Sequence, residues 1–150
     1  MHALIDTPCP DWKVDQAIVW DWYDGPRSGF ARLKFPSAEF QFELLAERPT
    51  EEGLDDRLFA VSALPAGTLE TLLSVCSFAG EPVSPIWIPR WASHDRSVLE
   101  RAEAAIAAAK DSAIATTLVI RSSGFETFQG CWDISSVPMD AEDWFAYLEI

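Results

Sequence analysis

Three consecutive runs with a period of two, AIVWDWY, FARLKF and AEFQFEL, constrain this chain more than any other feature. Successive side chains on a strand point to opposite faces, so alternation of apolar and polar residues marks a strand with one buried face. Ile18, Trp20 and Trp22 fall on one side of the first run, with Val19, Asp21 and Tyr23 on the other. Ala31, Leu33 and Phe35 alternate with Phe30, Arg32 and Lys34, and Phe40, Phe42 and Leu44 alternate with Glu39, Gln41 and Glu43. Short turns between the runs imply an antiparallel meander.

The turns set a register. A GPRS loop puts Asp24 opposite Gly29, and hence Trp22 opposite Ala31, Trp20 opposite Leu33 and Ile18 opposite Phe35. With Pro36 and Ser37 in the second loop, Leu33 faces Phe40 and Ala31 faces Phe42. Both registers gather the apolar members on one face and set Asp21 across from Arg32, Arg32 across from Gln41, and Lys34 across from Glu39. The expectation is that Trp20, Trp22, Leu33, Phe40 and Phe42 are core residues, and that the Trp-Asp-Trp stretch is a hairpin rather than a ligand site.

RLFAVSAL reads as a fourth strand. A helix capped at Thr68 follows, with Leu69, Leu72, Leu73 and Cys76 on its buried face and Gly80 as its stop signal. EPVSPIWIPRWASHD is proline-rich and reads as an extended crossing. A second helix runs from about Asp95 to Lys110, with Ser97 and Glu100 as a capping box and Val98, Ala102, Ile106 and Ala109 as its apolar stripe. ATTLVIRS is a buried strand, a further strand lies around Thr127 to Ile134, and Pro138 and Asp140 introduce a terminal helix with Trp144 and Leu148 inward.

A chain of 150 residues supports one sizeable core. The pattern predicts a single α+β domain over residues 1–150. It comprises a largely antiparallel sheet, an N-terminal four-stranded meander plus one or two later strands, with helices mainly on one face.

Eleven basic against 24 acidic residues give a formal net charge of -13, which repels phosphate backbones and favours a basic protein partner over nucleic acid. Cys9, Cys76 and Cys131 are odd in number and far apart, which suits a reducing compartment. The start MHALIDTPCPDW has no basic segment followed by an apolar run, and no stretch is apolar for the length a membrane crossing needs. The expectation is a cytoplasmic protein of bacterial type with no membrane association.

Motifs for chemistry are sparse. The only histidines, His2 and His94, make no metal-ligand spacing with each other or with the cysteines, so no metal site or cofactor is expected. Asp21, Asp24 and Glu43 could converge as carboxylates for general acid and base work, with Asp21 and Glu43 placed on one sheet face by the register above. GPRSG lacks the Lys and Ser or Thr of a phosphate-binding loop and belongs to a hairpin. IWIPRWASHD brings Trp87, Arg90, Trp91 and His94 within eight residues, and Trp and Arg are the types most enriched at binding hot spots. From Ser122 to Ile150 there are six acidic residues and no Lys or Arg, and the helix DAEDWFAYLEI adds Trp144 as an acidic-aromatic contact if it is exposed.

The reading that follows is a small acidic, non-catalytic binding protein. Immunity-like or antitoxin-like inhibitors of a basic protein partner are of this kind, and here contacts would centre on Trp87, Arg90, Trp91, His94 and Trp144. The alternative is a small-molecule binder or hydrolase using Asp21 and Glu43 near the Trp-Arg segment.

Overall fold

A computed structural model describes residues 14–23, 25–33, 37–49, 51, 55–76, 86–87, 96–122, 131–133 and 140–148. The alternating runs, the first as far as Trp22 and the second as far as Leu33, lie in β1 (Val14–Trp22), β2 (Pro26–Leu33) and β3 (Ala38–Pro49), and RLFAVSAL lies in β4 (Asp55–Leu64). Helix α1 (Thr68–Cys76), β5 (Ile86–Trp87), α2 (Arg96–Ser112), β6 (Ile114–Ser122), β7 (Cys131–Asp133) and α3 (Ala141–Leu148) follow. The strands form one seven-stranded sheet in the order β5-β1-β2-β3-β4-β6-β7. Every neighbouring pair is antiparallel except β1 and β5, where Ala17 pairs with Ile86 and Ile18 with Trp87. The fold is α+β, and the proline-rich crossing contributes a short edge strand.

All three described helices pack on the same face. Ile18, Phe30 and Leu64 of the sheet are buried against Leu69 and Leu72 of α1 and Ala102, Ile106 and Ala109 of α2. Alanines on α2 allow close approach, and Lys110 at its end lies 4.5 Å over the Trp20 ring, which in turn meets Phe30 edge-on. Further along, Ala46, Leu58 and Val119 are buried against Trp144 and Phe145 of α3. Leu58 and Leu64 are separated by an even number of residues on β4, so α3 shares the face of α1 and α2. Phe145 is held by Arg48, 4.4 Å from its ring centroid, and Arg121, 5.8 Å away, both of which pair with Asp56.

The opposite face carries a second core of Val14, Ala17, Val19, Ala31, Leu33, Phe40, Phe42, Phe59, Val61 and Ile120. Phe42 and Phe59 meet edge-to-face at 5.4 Å. This phenylalanine face matches the expectation for Leu33, Phe40 and Phe42 but overturns it for β1. Trp20 lies on the helix face, half-buried, and Trp22 is 45% exposed.

The reason is the first hairpin. Trp22 pairs with Pro26, Val19 with Gly29 and Ala17 with Ala31, so Tyr23 to Gly25 form the loop and GPRS starts a strand instead of closing one. This displaces the register by five residues from Trp22 opposite Ala31, and an odd displacement exchanges the faces of β1. The β2–β3 register is displaced by two, with Ala31 opposite Phe40, and the faces survive. Gly25, at φ 129°, turns the loop, and Gly29 leaves room for the Phe42 ring, whose Cζ lies 2.8 Å from where a Cβ would be.

The charge pairs change with the register. Arg32 donates to Asp15 through Nε and Nη2 at 3.2 and 2.9 Å, not to Asp21. Glu39, two residues along β3 from Gln41, accepts hydrogen bonds from Gly67 N–H at 2.6 Å and Leu69 N–H at 2.5 Å. The cap expected from Thr68 therefore comes from a carboxylate on the sheet, while the Thr68 hydroxyl donates to the Pro65 carbonyl. Ser97 falls inside the first turn of α2, where Arg96 pairs with Glu100 at 3.3 Å. Asp140 directly precedes α3, its carbonyl accepting from Trp144 N–H at 2.9 Å. Expectations on His2, Cys9, Asp24, Lys34, Phe35, Gly80, Thr127 and Pro138 lie outside the described residues, as do those on the side chains of Cys76, Val98, Cys131 and Leu148.

Candidate functional site

Between the α1–α2 cluster and the α3 cluster the helix face is polar. Ser28, Gln41 and Glu43 share this face, because each alternates with a residue of the phenylalanine core. Ser28 Oγ donates to Glu43 Oε2 at 2.9 Å and Gln41 Nε2 donates to Glu43 Oε1 at 2.8 Å. Ser28 and Gln41 are buried, whereas Glu43 is exposed. Both oxygens of one surface carboxylate are thus fixed from beneath by buried donors. Half-buried Ser62, paired with Gln41 across β3 and β4, continues the polar strip.

The strip runs toward the tip of the β1–β2 hairpin, where large apolar side chains face solvent. Trp22, 45% exposed, is paired with Pro26 just past a register irregularity that follows Asp21 opposite Ser28. Leu45 lies at the irregularity between Leu44 and Ala46 and is 41% exposed, and Tyr23 at the tip is 68% exposed.

The tip is held from the other face. Arg57, two residues before Phe59, is 4% exposed; its guanidinium donates to Glu47 Oε2 at 3.1 Å, to the Pro26 carbonyl at 3.1 Å and to the Tyr23 carbonyl. Arg27 joins the network through Glu47 at 3.0 Å and Asp21 at 3.6 Å. A buried guanidinium is tolerable because these acceptors satisfy it.

The chain matches no protein-family model, no characterised protein and no solved structure.

Geometry therefore has to place the residues singled out from the sequence. Asp21 and Glu43 do not converge: Glu43 is tied to Ser28 and Gln41 on the helix face, whereas Asp21 reaches the Arg27–Glu47–Arg57 network. Ser28 pairs with both residues from the strand between, so the two backbones are two strand spacings, roughly 10 Å, apart. The pairing still sets Asp21 and Glu43 in one cross-strand row through Ser28, but that distance and their separate partners keep the two carboxylates apart. Trp144 is 8% exposed and packs in the α3 cluster, so the exposure on which its role as a contact depended is not met. Trp87 is placed by its backbone beside Ile18, its side chain lying outside the described residues together with Arg90, Trp91 and His94.

Ser28, Gln41, Leu45 and the exposure of Trp22 were missed. One signal for Gln41 was present: it sits between Phe40 and Phe42 in a strand covered on both faces, where a polar side chain needs a partner. Elsewhere, an open groove of about 570 Å³ runs between α1 and α2 over Ala105, Ala108 and Ala109, with Glu70 and Thr71 on its rim. Among the described residues no group of three or more His, Cys, Asp or Glu side chains is arranged to hold a metal, and no helix is long and apolar enough to cross a membrane.

Proposed function

We propose that this protein is an acidic, non-catalytic binder of a basic protein partner, an inhibitor of the immunity-like or antitoxin-like kind working in a bacterial cytoplasm. The observation that supports it is the fate of the cations. Six of the described arginines, Arg27, Arg32, Arg48, Arg57, Arg96 and Arg121, are each engaged by a carboxylate within the fold, while exposed Arg101 has no ion pair among the described residues. Glu51, Glu70, Glu103, Asp111 and Asp143 are exposed with no ion-pair partner among the described residues. With a net charge of -13, the surface left for a partner is acidic, and such a field steers positively charged proteins and repels nucleic acid.

The test is capture of partners from the native cell followed by binding kinetics against ionic strength. The reading expects a partner of net positive charge whose association rate falls steeply with salt while dissociation changes little. A neutral or acidic partner, or association indifferent to salt, contradicts it.

A further inference from the structure

We propose that the outer face of α2 docks a second copy of this chain, the two α2 helices packing antiparallel about a two-fold axis level with Ile106. This goes beyond the acidic-binder reading and does not depend on it.

The inner side of α2 buries Ala102, Ile106 and Ala109 against the sheet and α1. On the side turned away, Ala104, Ala107 and Ala108 are exposed in the middle of the helix. Helix propensity alone accounts for exposed alanine. It does not account for where the charges stand. Arg101 lies three residues before Ala104 and Asp111 three after Ala108, so the four follow the three- and four-residue spacing of one helix face. Both charged residues are exposed, and neither has an ion pair among the described residues, whereas Arg96 and Glu100 at the start of the same helix pair at 3.3 Å. Among the described basic residues Arg101 alone is neither ion-paired nor set over an aromatic ring. Ten residues separate it from Asp111, roughly 15 Å along the axis, so the two cannot meet within one helix.

Across a two-fold axis they do meet. An isologous antiparallel pair sets Arg101 of each copy level with Asp111 of the other, and Ala104 level with Ala108. No like charges come level: Glu100 faces Ser112 and Glu103 faces Ala109. Alanine against alanine lets the axes approach to about 8 Å, near enough for an arginine side chain to cross the seam. Helix α1 adds a second acid. The open groove of about 570 Å³ lies between Thr68, Thr71 and Leu72 of α1 and Ala105, Ala108 and Ser112 in the second half of α2, so exposed Glu70 on its rim stands at the Asp111 end. Each Arg101 therefore arrives between two carboxylates of the other copy. A basic helix laid here would answer Glu70 and Asp111 but set like charge against Arg101, whereas a second copy answers all three. The contact is small and each chain carries a net charge of -13, so the dimer is weak and reversible.

The test is sedimentation equilibrium of the full chain into the millimolar range at about 0.15 M salt, where net repulsion is screened beyond about 8 Å and close contacts persist. The mass should rise with concentration from one chain toward two. Arg101→Asp and Asp111→Arg each set like charges level across the seam and should weaken the dimer at least about tenfold, while the chain carrying both changes keeps the surfaces complementary and should recover most of that loss. Ala108→Leu holds the axes apart and should also cost about tenfold. All of these positions are exposed, so unchanged melting confirms that the variants are folded. A parent chain that stays monomeric throughout overturns the proposal, as do single variants that dimerise as tightly as the parent or a double variant no better than either single one.

Discussion

On the phenylalanine face of the sheet, aliphatic and phenyl side chains are buried continuously from Val14 to Ile120, while on the helix face two apolar clusters are parted by Ser28, Gln41 and Glu43. The first face needs no explanation beyond burial of apolar surface. The second spends polar groups where packing alone would place apolar ones, and it holds the exposed Glu43 carboxylate on buried Ser28 and Gln41. Departures of this kind from local consistency mark places shaped by something other than stability. The contrast sets a continuous apolar core on one face against an exposed carboxylate, fixed by buried donors, in the gap of the other.

The largest expected effect lies on the phenylalanine face. Phe42 is fully buried, edge-on to Phe59 and over Gly29, so Phe42→Ala should lower unfolding free energy by about 3 to 5 kcal/mol in urea titration. A loss under about 1 kcal/mol would mean that this face is not the main core.

Next comes Gly29→Ala, whose methyl would strike the Phe42 ring and the Ile18 carbonyl; about 1 to 3 kcal/mol should be lost. Pairing it with Phe42→Leu should cost somewhat less than the sum of the two single changes, because the smaller side chain removes the clash with the ring while the closer Ile18 carbonyl stays in place. Strict additivity would leave the Ile18 carbonyl as the whole reason for glycine there.

A smaller effect is expected where the helix face is tied to its helices. Glu39→Ala removes the carboxylate that receives the Gly67 and Leu69 amides at the start of α1, and about 1 kcal/mol should go with it. Faster amide exchange should be confined to the first turn of α1. Unchanged exchange there would return the cap to Thr68.

How far the sequence discloses this arrangement differs along the chain. The strands of the meander, α1, α2 and α3 are legible because their periodicity is strong and each is bounded by turn residues. The faces of β1 are not, because Ala17 and Val19 can be buried as readily as Ile18 and Trp20, and only the hairpin decides between them. A three-residue loop followed by irregular pairing on both strands leaves no mark that separates it from a loop at GPRS. The cap on α1 is illegible for another reason: Glu39 lies far away in sequence and meets Gly67 only once β3 and β4 are paired. At the candidate site, Glu43 was singled out for a carboxylate pair with Asp21, and the structure gives it Ser28 and Gln41 instead. Trp144, conversely, drew notice as an aromatic among acids, yet an eight-residue helix buries its few large side chains, and Trp144 is one of them.

The contrast between the two faces is tested most directly by the stability of a chain carrying Ser28→Ala, Gln41→Val and Glu43→Val together. If the polar strip serves recognition and not folding, removing both sides of each hydrogen bond leaves no buried group unsatisfied, and the unfolding free energy in urea should equal or exceed that of the parent. A loss of more than about 2 kcal/mol would show that the strip holds the sheet together, and the division of labour between the faces would fall.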